Sequence, residues 1–92
     1  MQVFVVVSIS NPEKIEAQLK SFEEGKSFLL KAGVWIVAFD GTTQQLAEKL
    51  GIREGDSGTG LVTPISNYSG RASADLWEWF KINWPSEKVR ND

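Results

Sequence analysis

Three acidic residues stand where a chain of this kind could do chemistry. Asp40 follows the apolar run VWIVAF, and Glu54 and Asp56 flank Gly55 in a glycine-rich stretch. Carboxylates in such places can hold a divalent metal ion that activates water, or can work together as an acid–base pair. They would have to act without the usual helpers, because the 92 residues include no histidine and no cysteine. That excludes imidazole acid–base work, a Ser-His-Asp triad, cysteine nucleophiles, thiolate zinc sites and iron–sulfur clusters from this chain. Asp40 also precedes Gly41-Thr42, where an aspartate ordinarily serves a turn or a cap, and Glu54 and Asp56 read equally well as solvated loop residues. The expectation is no catalytic residue and no cofactor, with a divalent metal ion on Asp40 and Asp56 as the alternative.

Two loops carry weaker signals. GDSGTG, residues 55–60, has three glycines in six positions and could form a backbone nest for an anion, yet it lacks a phosphate-loop lysine and opens no helix directly. Tyr68 and Arg71 lie in a short loop where the guanidinium could meet a phosphate or carboxylate, or simply point into solvent. Lys14, Lys20, Lys26 and Lys31 fall in the first third of the chain, but 10 basic and 12 acidic residues give a net charge of −2. Scattered charge of this balance argues against nucleic acid as the partner.

These residues need a scaffold, and the periodicity supplies one. Residues 2–9 (QVFVVVSI) are β-branched and read as a first strand. Ser10-Asn11-Pro12-Glu13 starts a helix, with Ser10 or Asn11 as N-cap and Glu13 placed for a capping box with Ser10. Ile15, Leu19 and Phe22 make its apolar stripe, and the helix is expected to end near Gly25. Residues 27–31 (SFLLK) and 34–39 (VWIVAF) flank Ala32-Gly33, a hairpin in which glycine supplies a positive φ. Thr42 and Gln45 form a second capping box before a short helix that Gly51 stops. Residues 61–65 (LVTPI) are a fourth strand, at an edge because Pro64 cannot donate to a ladder.

From Ser73 to about Asn83 the pattern is helical, and Pro85 keeps Trp84 out of the helix. At 100° per residue Leu76, Trp77, Phe80 and Trp84 form one stripe, which leaves Trp79 and Ile82 outside it. One of that pair could pack under the loop 66–72; the functional reading makes both a contact patch, since tryptophans are enriched at binding hot spots.

The order of elements predicts an α+β, ferredoxin-like βαββαβ sandwich with antiparallel sheet order 4-1-3-2 and an added C-terminal helix. Residues 1–84 make one domain and 85–92 a charged, fraying tail. Val34, Ile36 and Ala38 face one way and Trp35, Val37 and Phe39 the other, so both faces of the third strand are apolar. Two helices cover one face. The second falls to the C-terminal helix, to another subunit, or to both.

The segment GVWIVAFDGTTQQLAEKL (33–50) and the later GLVTPI resemble a small bacterial group bearing the family name SinR, related in fold to virulence-associated protein D and the second CRISPR-associated protein. The resemblance spans about the first two thirds of the chain. It implies a ferredoxin-like fold and a homodimer. Some of those relatives are metal-dependent nucleases with an aspartate at the end of the first strand, where this chain has Ser8-Ile9-Ser10. The resemblance therefore brings no catalytic residue with it; the alternative function it implies is a Mg2+- or Mn2+-dependent nuclease or toxin with a degenerate site, using Asp40 and Asp56. The resulting expectation is a cytoplasmic, dimerising interaction domain without a leader or membrane span, meeting a protein partner through Trp79, Ile82, Tyr68 and Arg71.

Overall fold

The computed structural model describes residues 2–23, 25–53, 55, 58–67 and 73–84. Its elements run β1 (Gln2–Ser8), α1 (Pro12–Leu19), β2 (Ser27–Lys31), β3 (Val34–Phe39), α2 (Thr43–Lys49), β4 (Gly60–Pro64) and α3 (Ala74–Asn83). The four strands form one antiparallel sheet in the order β2-β3-β1-β4. The longest apolar runs, β1 and β3, take the centre because only there are both faces of a strand buried. β4 lies at an edge, where the missing amide of Pro64 leaves no gap in the ladder.

The turns follow their local chemistry, with corrections at the first helix. Gly33 sits at φ 85 in the β2–β3 hairpin and Gly51 at φ 79 behind α2, a region that residues with a Cβ enter at a cost. The Thr42 hydroxyl accepts from the Gln45 amide at 3.1 Å, and the Gln45 side chain accepts from the Thr42 amide at 2.9 Å, completing a capping box. The box expected between Ser10 and Glu13 does not form. Ser10 Oγ is engaged elsewhere, accepting from the Thr59 amide at 2.9 Å. Asn11 becomes the N-cap in left-handed geometry, φ 55 and ψ 54, with no side-chain capping bond; asparagine tolerates that region better than most residues. α1 also stops at Leu19, earlier than expected. Ser21 Oγ donates to the Gln18 carbonyl at 2.6 Å, a local bond that competes with continued helix. The chain then turns so that Phe22 meets Phe39, ring centroids 6.0 Å apart.

Between sheet and helices lie two cores. On one face Phe4, Val6, Trp35 and Val37 pack with Ile15 and Leu19 of α1, Leu46 of α2 and Leu50 at its C-terminal cap. On the other, Val3, Ile36 and Ala38 pack with Leu76, Trp79 and Phe80 of α3. The second apolar face is thus covered within the chain, at least in part.

Replacing Thr42 with alanine should lower the unfolding free energy by about 1 kcal/mol, the usual worth of a serine or threonine cap. Leu46→Ala, at a fully buried position, should cost about 2–5 kcal/mol. Urea denaturation of both variants checks the ranking; equal losses would contradict it.

Candidate interaction surface

α3 covers only part of its face, and the strand register shows which part. Three cross-strand rows line this side of the sheet. The first is Ala38, Val3 and Ile65, where the Ile65 amide donates to the Val3 carbonyl at 2.9 Å. The second is Phe28, Ile36, Val5 and Thr63. The third runs from Lys31 through Val34 and Val7 to Leu61. An irregularity between Leu29 and Lys31 shifts the register there, so Leu30 and Lys31 together oppose Val34.

The α3 core draws on the first two rows. The third lies beyond it: Val7 and Val34 are half-buried, Leu61 is 57% exposed and Leu30 44%. Ile9, just past the end of β1, is exposed as well. At about 4.8 Å between strands, such a row spans roughly 14 Å of apolar surface across all four strands. A strand row of this kind is apolar on the outside only where something else is meant to cover it, or where the fold tolerates the exposure.

A small polar lock fixes α3 over the lower rows. The Trp79 indole N–H donates to the Gly25 carbonyl at 2.9 Å. Asn83 Nδ2 donates to the same carbonyl at 3.2 Å and to the Trp79 carbonyl at 3.1 Å, while its Oδ1 accepts from Lys26 Nζ at 3.3 Å. Asn83 is buried, and both polar atoms of its side chain have partners, as burial demands. Phe28 packs against Trp79 at 6.4 Å between centroids, and Phe80 meets Trp79 edge-on at 5.7 Å.

This lock corrects one expectation. Trp79 is not part of an exposed patch; it is 8% exposed and belongs to the second core. The buried side of α3 is Leu76, Trp79, Phe80 and Asn83, rotated by roughly 60° from the stripe that hydrophobicity alone selects. Trp77 and Trp84 still pack on the core, half-buried. The rotation was hidden because the polar Asn83 counts against a core position until its carbonyl and ammonium partners are known. Trp84 ends the helix at φ −75 and ψ 135, the extended geometry favoured before proline. Ile82 lies where expected, off the buried side and 72% exposed.

The other candidates are not brought together. Asp40 is exposed just after β3, and among the described residues no three His, Cys, Asp or Glu side chains are placed to hold a metal. Asp56, Glu54, Tyr68 and Arg71 lie outside the described residues. In the glycine-rich loop, the amides of Gly55, Gly58 and Thr59 donate to the Ile52 carbonyl, the Gly55 carbonyl and Ser10 Oγ. Those three are therefore not free to form a nest for an anion. Gly58 is at φ 88, and a Cβ there would come within 2.6 Å of Ser10 Oγ, so this loop is wedged against the start of α1. Among the described residues no helix is long and apolar enough to cross a membrane.

Comparison with known proteins gives no matching family model, no matching curated protein and no matching solved structure.

Asn83→Ala should destabilise the protein by about 1–3 kcal/mol, because the Gly25 carbonyl and the Lys26 ammonium lose a buried partner. Ile82→Ala, at an exposed position, should change stability by about 0.5 kcal/mol or less. Thermal unfolding followed by tryptophan fluorescence distinguishes the two, and a silent Asn83→Ala would contradict the lock.

Proposed function

We propose that this chain is a small non-enzymatic interaction domain that dimerises and rests a protein partner on the open row of its sheet. The observation that carries the reading is the apolar row Leu30, Val34, Val7 and Leu61, left by a helix that covers only the two rows beneath it. An exposed patch that crosses every strand of a sheet is a different matter from isolated surface leucines, which need no explanation.

The reading includes a ferredoxin-like class for the fold. The sheet order β2-β3-β1-β4 with α1 and α2 packed on one face supports it, and α3 is an addition to that plan. Kinship with the SinR group is part of the same proposal. The row is narrower than the roughly 800 Å² per side that a stable interface uses. A partner there must also reach Ile9 or the β2 edge, so several weak contacts act together.

Sedimentation velocity across a concentration series should give a mass that rises from monomer to dimer in the micromolar range. A strict monomer at high micromolar concentration would remove self-association from the reading. Leu61→Lys with Ile9→Lys should also reduce the native protein's enhancement of a hydrophobic dye's fluorescence several-fold, with the unfolding midpoint unchanged; undiminished dye binding would mean that the row is not the exposed apolar surface.

A further inference from the structure

The two edges of the sheet are chemically unequal. Antiparallel strands alternate between residues whose N–H and C=O face the neighbour and residues whose groups face away. On the β4 side, the Val3/Ile65 and Ile9/Thr59 bonds set that alternation, which turns Gly60, Val62 and Pro64 to the open edge. Pro64 has no amide to offer there. On the β2 side, the Ala38 amide donates to the Lys26 carbonyl at 2.8 Å, so Lys26 and then Phe28 bond to β3. Ser27 and Leu29 are left with both backbone groups directed outward. Among the described residues no backbone or side-chain group outside the strand ladder bonds to them. Leu29 is 54% exposed, and no proline or central charge guards the strand, although both are common protections for an edge.

We infer that the β2 edge pairs with the β2 edge of a second copy, antiparallel and centred on Phe28. This rests on the proposed self-association and names the surface that performs it. The register follows from which groups are free. With Phe28 opposite Phe28, Ser27 of each copy faces Leu29 of the other, and both residues have outward N–H and C=O groups. Each of these pairs then exchanges both of its hydrogen bonds. Lys26 faces Leu30, so no two like charges are opposed, and Phe28 opposes its own kind in a non-bonded pair, where side chains approach most closely. The irregularity after Leu29 ends the usable edge. A register centred on Leu29 would instead set Ser27 against Lys31, whose backbone groups close the hairpin with Val34, and would lose those bonds. A second copy carries the same set on the same strand, so the pairing closes on itself about a two-fold axis. Pairing would join two four-stranded sheets into one, and would place each copy's Leu30 beside the other's Lys26.

Charge substitutions read the register directly. In a Ser27→Lys/Leu29→Lys variant two lysines oppose each other in each bonded pair, and the dimer dissociation constant from sedimentation should rise by about tenfold or more. In Ser27→Lys/Leu29→Glu each lysine faces a glutamate, and the constant should return to within about threefold of the unsubstituted protein. Leu29→Pro, which removes an outward amide without touching the β2–β3 ladder, should weaken the dimer as the lysine pair does, and stands in for it if that variant unfolds. If both charge variants are equally weak, the Phe28-centred register is wrong. If the dimer survives the lysine pair and the proline unchanged, the edge is not the interface and self-association proceeds elsewhere. A monomeric unsubstituted protein would overturn both the pairing and the self-association it rests on.

Discussion

The fold depends on the double apolarity of β3 and its partner β1. Trp35 and Val37 point into one core and Ile36 and Ala38 into the other, and β1 divides in the same way between Phe4 and Val6 on one side and Val3 on the other. A sheet built so cannot remain two-layered in water, since burying each of its valine, isoleucine and phenylalanine side chains is worth about 1.5–3 kcal/mol. α1 and α2 cover one face, and α3 answers the demand on the other. Because α3 is short and crosses only one end, it settles that demand in part. The remaining row and the β2 edge beside it are consequences of that geometry.

Much of this was legible in the sequence, for reasons that differ by element. The strands and the β2–β3 hairpin were readable because β-branched runs and a glycine turn act locally. The Thr42–Gln45 box was readable because both of its partners lie within one turn. Ser10 was misread because its hydroxyl is taken by Thr59, 49 residues away, and no local rule registers such competition. The rotation of α3 failed for a related reason. Hydrophobicity ranks Trp77 and Trp84 as it ranks Trp79, and the bond from the Trp79 indole to the Gly25 carbonyl, 54 residues away, does not register in it. The exposed row was invisible until the register placed Leu61, Val7, Val34 and Leu30 side by side, because each belongs to a strand that looks buried when read alone.

In the proposed function, a partner meets backbone and apolar surface. Edge hydrogen bonds supply register and direction, while an adjoining apolar row supplies area. Asp40 stands apart from both, exposed at the end of β3. The lock of Trp79, Asn83, Lys26 and Gly25 anchors α3 at the start of β2, with Phe28 packed against Trp79.

Amide hydrogen exchange at low and high protein concentration reads the proposed edge pairing at individual backbone groups. The amides of Ser27 and Leu29 should exchange quickly in dilute solution and become protected as concentration rises, while the amide of Phe28, bonded to β3, stays protected throughout. Rapid exchange of Ser27 and Leu29 at every concentration, in a sample whose mass shows a dimer, would rule the edge pairing out.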